Sequence, residues 1–439
     1  VEGALMNDTP RQATRLEAIG GRFDPWLLGA MLALASLGVV MVASASIYQH
    51  GNPFYYLIRH GMFLVAGAGL AWWVTRTELK SIEARNHLLL LGCVVLLLLV
   101  FVPGLGVSVK GAHRWINLGV SNFQVVEVVK VFFIVWLASY LVRFRDEVNA
   151  TWAAMLKPLG VVVLLVALLL MQPDFGSSSL LLAITAGMLV LGGVNMPRMF
   201  GPVLVGLPIL AVIAIAEPYR MRRLTSFSDP WADPFGSGYQ LTNALMAIGR
   251  GEWSGIGLGG SVLKLNYLPE VHTDFIFSVI GEELGFVGVC LVVALYALLV
   301  GRAFVIGLRC VEMRRHFAGY VAFGVALWIG MQSFVSMGVN LGLLPTKGLT
   351  LPLISSGGSS ILMTCVAMGL LLRVSYELER TQRQVALRGE ALQTTPSGET
   401  RSPADAAPAT PKSAPSLSET LRGTSRLRSR VEPTFERIA

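Results

Sequence analysis

Acidic side chains are concentrated in one stretch of an otherwise apolar chain, residues 268–285, which reads LPEVHTDFIFSVIGEELG. Asp274 stands where a predicted apolar helix begins, and a carboxylate in that position can accept a proton from a reacting group, as a general base does. Glu282 lies about two turns further along roughly the same helix face, with Glu283 beside it. We expect an internal salt bridge or a helix contact for these two carboxylates and a chemical role for Asp274.

The residues before Asp274 form the entry to this helix. Pro269 and Thr273 set the direction in which the chain enters it. Glu270 and His272 are predicted to order the loop or to contact a substrate, and Thr273 is a further candidate for substrate contact. We therefore treat the whole entry as part of one candidate site centred on Asp274.

A second polar group lies at residues 110–130, which read KGAHRWINLGVSNFQVVEVVK. The first half, with Arg114, is predicted to be an external segment. In the second half Gln124, Glu127 and Lys130 are three residues apart and share one helix face. A charge at bilayer depth costs at least about 2.5–3.5 kcal/mol, so such residues face a partner or a wet cavity. The pair predicts either an ion pair that joins neighbouring helices or a contact to a substrate.

A short external turn is predicted in QPDFGSSS, residues 172–179. Pro173 ends one helix, and Asp174 can cap the next by accepting hydrogen bonds from its first amide groups. Capping alone would explain Asp174, although its position on the external side also makes it a candidate for substrate binding.

A broken segment interrupts the apolar pattern at residues 344–360, LPTKGLTLPLISSGGSS. Two prolines and three glycines stand where a continuous helix would otherwise run. Irregular backbone at membrane depth survives only when it is buried in protein or lines a watery cavity. The segment therefore predicts a site, with Lys347 as its only charge and with Ser355 and Ser356 as candidate binding groups.

Long apolar blocks must position these groups. Hydrophobic residues make up 54% of the 439 residues and charged residues only 14%, whereas a soluble domain has about 25% charged residues. The mean hydropathy is +0.62. We predict an all-α polytopic membrane protein, because about ten blocks reach the roughly 20 residues that cross a bilayer. The predicted spans are 25–47, 54–75, 86–103, 122–143, 156–172, 178–195, 199–217, 274–300, 317–343 and 352–376.

Arginine and lysine in the loops predict the orientation of the chain. They are concentrated in alternate loops, which places both termini in the cytoplasm by the positive-inside rule. The long loop 218–273 is then external, and its five basic residues run against the trend, so they need another role. The predicted domains are an N-terminal tail (1–23), a transmembrane domain (24–378) and a disordered cytoplasmic tail (379–439). The net charge of +8 fits these basic loops and tail, and no nucleic-acid partner is predicted.

Four motifs together resemble the SEDS family (shape, elongation, division, sporulation). They are GAHRWINLG…FQ…E..K (111–130), QPDFG (172–176), LPEVHTDFIFSVIGEELG (268–285) and LPTKGLTLPLISSGGSS (344–360), in the order and spacing of that family. The resemblance covers about residues 25–377 and is closer to the cell-division members than to the rod-elongation members. The chain departs from the family at Val125-Val126, where Pro-Ser or Pro-Ala is usual, and at Ser356, where an aromatic residue is usual.

The resemblance implies an inverting peptidoglycan glycosyltransferase that polymerises lipid II. It places this reaction at the periplasmic face of the bacterial inner membrane, at the division septum, with Asp274 as the catalytic carboxylate. Cations would stabilise the departing undecaprenyl pyrophosphate. The candidates are Arg114, Lys130, Lys347 and the loop arginines, or a divalent cation held by acidic groups, and the sequence does not decide among them.

The resemblance also implies a protein partner, a class B penicillin-binding protein that is an FtsI-like division transpeptidase. We infer contacts with other divisome membrane proteins from the composition of the tails. Two other functions fit a polytopic chain with intramembrane charges: a lipid II flippase, and a non-catalytic scaffold that positions the transpeptidase. Polymerisation by the purified protein would separate the three hypotheses.

Overall fold

The computed structural model of the chain describes residues 20–46, 54–109, 112–117, 119, 122–216, 218–262, 264 and 271–394. The described part is mostly helical. Its helices are α1 (Pro25–Ser46), α2 (Tyr55–Arg76), α3 (Leu79–Ala84), α4 (Asn86–Leu99), α5 (Val125–Arg143), α6 (Arg145–Ala150), α7 (Trp152–Met171), α8 (Phe175–Leu191), α9 (Met196–Ala216), α10 (Pro218–Ser228), α11 (Tyr239–Gly251), α12 (Ile276–Glu312), α13 (His316–Asn340) and α14 (Gly358–Thr394).

Membrane-spanning helices dominate the structure, as predicted. Within the described residues, eight helices are long and apolar enough to cross a membrane, and the shorter α4 and α8 are also apolar. The polytopic helical fold is therefore confirmed. The orientation of the chain and the exact number of crossings stay predictions.

A small antiparallel sheet, which was not predicted, accompanies the helices. Strands β1 (Gly106–Val109), β2 (Ala112–Asn117) and β3 (Asn122–Gln124) lie in the order β1-β2-β3. Trp115 pairs with Gln124 between the second and third strands. The sheet occupies most of the segment that was predicted to be an external loop, and β3 leads directly into α5.

Helix bounds also differ from the predicted spans in three places. The predicted long loop contains α10 and α11. Helix α12 continues to Glu312, so Arg302, Gly307 and Arg309 are helical and do not lie in a loop. Helix α14 continues to Thr394, so the first part of the expected disordered tail is helical. The rest of that tail, residues 395–439, and residues 1–19 lie outside the described part of the chain.

Helix α13 is at the centre of the bundle, where it packs against α5, α8 and α12. Gly324 lies at a close approach: a Cβ atom there would come within 2.4 Å of Cγ2 of Ile134 in α5 and within 2.8 Å of Sδ of Met188 in α8. Small residues let helices approach closely in a membrane, where contact packing drives association. In contrast, most side chains of α9 are exposed and apolar, as expected for a lipid-facing helix.

The predicted orientation can be tested by thiol labelling, with the four native cysteines replaced. We expect Ser237→Cys, exposed between α10 and α11, to react with a membrane-impermeant reagent added from the periplasmic side. Glu312→Cys, exposed at the far end of α12, should react only after the membrane is permeabilised. The reverse pattern would overturn the orientation and would put the candidate site on the cytoplasmic face.

Candidate functional site

The acidic entry to α12 is held by the end of the broken segment. The amide of Ser356 donates to the carbonyl of His272 at 2.8 Å, and Oγ of Ser355 donates to the carbonyl of Thr273 at 2.6 Å. The Ser355 hydroxyl also accepts from the amide of Leu351 at 2.8 Å. Ser355 is buried, so its observed contacts order the protein, whereas we had expected it to bind substrate.

Asp274 follows directly and is half-buried, two residues before α12 begins. Its carbonyl accepts a hydrogen bond of 2.9 Å from Nδ2 of Asn340, the last residue of α13. Three successive carbonyls, from His272 to Asp274, therefore accept hydrogen bonds from residues between 340 and 356. The backbone that carries the Asp274 carboxylate is fixed to the two ends of the broken segment.

In the middle of the broken segment, the backbone of Gly348 approaches the carboxylate of Asp274. A Cβ atom on Gly348 would lie 2.9 Å from Oδ2 of Asp274, so a larger residue would press on the acid. Only glycine allows so close an approach of the backbone. Two residues earlier, the carbonyl of Thr346 accepts a hydrogen bond of 2.9 Å from Nη1 of Arg223, which ties α10 to the same segment.

Lys347 lies beside Gly348 and is partly buried. Its Nζ atom is 4.8 Å from the centre of the Phe175 ring, at the start of α8. Burial lowers the pKa of Lys347 below the usual value of 10.5, and the charge of Asp174 opposes that shift. The predicted cation of the broken segment is therefore at the same end of the bundle as Asp274 and Asp174.

Asp174 caps α8, as predicted. Its Oδ1 accepts from the amide of Ser177 at 3.1 Å and its Oδ2 from the hydroxyl of the same residue at 2.8 Å. Nη1 of Arg114 lies 3.9 Å from Oδ1 of Asp174. Arg114 also donates to the carbonyls of Gln172 and Pro173, so the small sheet is bound to the turn between α7 and α8.

Glu127 and Lys130 form the buried ion pair that was one of the two interpretations of this motif. The Nζ atom of Lys130 is 2.9 Å from Oε1 of Glu127 and 2.8 Å from Oε1 of Gln332 in α13. The Nε2 atom of Gln332 donates to the carbonyl of Thr350 at 2.9 Å. Lys130 is fully buried. It therefore supports the broken segment through Gln332.

Glu282 and Glu283 make internal salt bridges, as expected. Oε1 of Glu283 is 3.0 Å from Nζ of Lys264, and all four carboxylate oxygens of the two residues have partners. Nη1 of Arg250 is 3.6 Å from Oε1 of Glu282. The basic residues that run against the positive-inside trend thus include two that neutralise buried acids in α12. Buried charges need such pairing to be tolerated.

Helix α12 is interrupted at Gly285, and the interruption is hydrogen-bonded to the glycine-rich loop, residues 252–260. Gly285 has non-helical angles (φ 65°, ψ −162°). The amides of Ile256 and Gly257 donate to the carbonyls of Glu282 and Glu283, and the amides of residues 286 and 287 donate to the carbonyls of residues 252 and 253. The glycine-rich stretch GIGLGG, residues 255–260, therefore bonds to the break through its backbone amides.

The remaining predicted groups are placed as follows. The ring of His272 is buried and packs against Tyr56 of α2, with ring centres 4.0 Å apart, so His272 helps to order the loop. Glu270 lies outside the described residues. Among the residues that the structure describes, no three His, Cys, Asp or Glu side chains form a group that could hold a metal ion.

Sequence reasoning missed two residues of the site, Asn340 and Gln332. Both are buried amides at the ends of hydrogen-bond chains that lead to the Asp274 backbone and to the broken segment. A polar amide within an apolar helix was the available signal, since such a group needs partners in lipid.

The fold and the site define a polytopic membrane protein with one carboxylate held against a broken segment at one end of its helical bundle. The chain belongs to the FtsW/RodA/SpoVE family of cell cycle proteins, whose family model matches residues 25–380. This confirms the family that was suggested by the motifs.

Two relatives are similar to this chain over most of their own length. A protein of Xanthomonas oryzae pv. oryzae named "Probable peptidoglycan glycosyltransferase FtsW" is 67% identical over 100% of this chain and 95% of its own length. A protein of the same name from Halorhodospira halophila is 49% identical over 82% and 92%.

Two solved structures have the same fold. One is a chain from work on the structural coordination of polymerization and crosslinking by a peptidoglycan synthase complex, with a TM-score of 0.68 and 30% identity over 81% of this chain and 98% of its own. The other is the rod shape determining protein RodA of Thermus thermophilus, with a TM-score of 0.59 and 28% identity over 80% and 96%.

Proposed function

We propose that this protein is a peptidoglycan glycosyltransferase that polymerises lipid II into glycan strands. The observation that carries the proposal is the Asp274 carboxylate, which is held by its backbone and approached by the backbone of Gly348, the residue after Lys347. The names of the similar proteins support the reaction class.

In the proposed reaction Asp274 acts as the general base. It accepts the proton from the 4-hydroxyl group of the acceptor GlcNAc as that oxygen attacks the anomeric carbon of the donor MurNAc. The bond from this carbon to the phosphate oxygen breaks, and undecaprenyl pyrophosphate leaves with the electron pair. The attack inverts the anomeric configuration. One carboxylate suffices, because pyrophosphate leaves without being protonated, unlike the leaving group in glycoside hydrolysis.

Fixed cations would stabilise the negative charge of the leaving pyrophosphate. Lys347 is the first candidate, because it precedes Gly348, whose backbone approaches Asp274, and because burial makes its charge more effective there. Arg114 and Arg223 are further candidates on the same end of the bundle. Lys130 is assigned a supporting role instead, since its charge is fully used inside the protein.

Binding of lipid II would use the surface around this carboxylate. We propose Glu270, Thr273 and Ser356 as substrate contacts, and Asp174 as the group that orients Arg114 and Lys347. We assign a positioning role, through the contacts described above, to His272, Glu127 and Ser355. This assignment divides the predicted site residues into groups that meet the substrate and groups that position them.

We place the protein in the bacterial inner membrane at the division septum, with a class B penicillin-binding protein as its partner. The similar chain from a synthase complex supports a protein partner, and the family of cell cycle proteins supports a role in division. Other divisome membrane proteins are proposed to contact the two tails.

The test is reconstitution of the purified protein with its transpeptidase partner in liposomes that carry lipid II on one leaflet. We expect glycan strands to form when lipid II is exposed to the face that carries Asp274. A flippase would move lipid II between leaflets without making glycan. A scaffold would do neither, so either result without polymer would refute the proposed reaction.

A further inference from the structure

Asn340 is a buried amide whose hydrogen-bonding capacity is fully used. Its Nδ2 donates to the carbonyl of Asp274 at 2.9 Å and to the carbonyl of Ser336 at 2.8 Å. Its Oδ1 accepts from the amide of Ser278 at 3.2 Å and from the hydroxyl of the same residue at 2.7 Å. Asn340 and Ser278 have no exposed surface. An amide can make four strong hydrogen bonds, and this one makes all of them.

These contacts replace a missing cap at the start of α12. The N-cap residue, Phe275, has no side chain that can accept from the first amides of the helix. Free amides at a helix start need partners when they are buried. The amide of Ser278 donates to the carbonyl of Phe275 at 3.1 Å, and Asn340 adds a second acceptor for it from another helix. The start of α12, with Asp274 just before it, is therefore attached to the last residue of α13.

Asn340 is also the last helical residue before the broken segment. Helix α13 ends at Asn340, and the chain continues through residues 341–357 with Lys347 and Gly348. The side chain of Asn340 thus connects the backbone of Asp274 to the end of α13, where the segment that carries Lys347 begins. A change in Asn340 would therefore alter the separation of these two groups.

We propose that Asn340 is a positioning residue for glycan polymerisation, which holds the Asp274 carboxylate at a set distance from Lys347 across the reacting sugar. The proposal rests on the proposed function, because it assigns Asn340 a part in the reaction of Asp274. Its effect is on the geometry of the chemical step: misplacement by about 1 Å can lower a rate by about 10²-fold.

The test compares Asn340→Ala and Asn340→Asp with a matched control, Ser333→Ala, in the reconstituted complex with lipid II. Asn340→Asp keeps the size of the side chain and removes the Nδ2 donor. Ser333 is buried in the same helix, and its hydroxyl donates to the carbonyl of Gly330, away from Asp274. We expect kcat to fall about 10- to 100-fold in both Asn340 variants, with KM for lipid II within about twofold of the wild-type value. Ser333→Ala should keep both constants within about twofold.

A merely structural role would lower the amount of folded protein and leave kcat per folded molecule unchanged, and that result would overturn the proposal. If neither Asn340 variant folds, Ser278→Ala carries the test, because it removes one partner of Asn340 Oδ1. We then expect kcat to fall about fivefold at constant KM, and an unchanged kcat would contradict the proposal.

Asp274→Asn in the same assay separates the two proposals. If Asp274→Asn is inactive and the Asn340 variants have the wild-type kcat, only the positioning role is wrong. If Asp274→Asn polymerises lipid II at the wild-type rate, the assignment of the base fails and the role of Asn340 fails with it.

Discussion

Asp274→Asn should abolish detectable glycan synthesis by the reconstituted complex, and Asp274→Ala should do the same. Loss of a general base typically lowers a rate about 10²- to 10⁴-fold. Glu282 and Glu283 are committed to buried ion pairs. The measurement is polymer formed from labelled lipid II, with binding of lipid II and of the transpeptidase measured in parallel and expected to persist.

Two carboxylates provide controls for this result. Asp233→Asn makes the same chemical change at an exposed turn, where the carboxylate accepts from Ser237 of its own loop, and should leave activity unchanged. Glu282→Gln should act through stability, since it weakens contacts of a buried carboxylate. Glycan chains of ordinary length from purified Asp274→Ala, in a preparation free of other polymerases, would refute the assignment of the base.

Lys347→Ala should lower turnover by about 10²- to 10³-fold, the loss seen when one preorganised charge-stabilising group is removed from an active site. The amount of folded protein and its affinity for the transpeptidase should stay close to the wild-type values, because the Lys347 side chain is partly exposed. The backbone that approaches Asp274 is that of Gly348. Lys347→Arg should keep part of the activity, as the charge survives with a different reach. Loss of the Ala variant from the membrane would favour a structural role instead.

The pH dependence of kcat/KM gives a separate test of Lys347. Burial lowers the pKa of this lysine, so as the pH rises Lys347 should lose its proton before pH 10.5 is reached. The rate should fall on the alkaline side of the profile as that charge is lost. Lys347→Arg should move that fall to higher pH, because an arginine stays charged. An alkaline limb that is the same in both proteins would show that Lys347 does not supply the charge.

The helical membrane fold could be predicted from the sequence because apolar blocks of bilayer length leave few alternatives. The small sheet could not, because its strands have four, six and three residues, too few to show an alternating pattern. The length of α12 was also missed, because Arg302 and Arg309 suggested a loop although a helix can continue beyond the lipid. Charge patterns indicate where the membrane ends and not where a helix ends.

For the candidate site, the residue types could be predicted and their partners could not. Asp174 was recognised as a cap because its partner, Ser177, is three residues away. Lys130 and Gln332 are 202 residues apart, and Asn340 and Asp274 are 66 apart. No local pattern relates residues at such separations, since the pairing arises only when α5, α12 and α13 pack together. The sequence therefore indicated which groups could react and left open which groups hold them.

The break at Gly285 divides α12 into two mechanical units. A continuous helix transmits a twist along its ladder of hydrogen bonds, but here the ladder is interrupted, and the carbonyls of Glu282 and Glu283 are bonded to the loop instead. A rotation of the long part, 286–312, would be passed to the glycine-rich loop and not to the two turns that follow Asp274. We expect the carboxylate end to be insulated from torque that originates at the opposite side of the membrane.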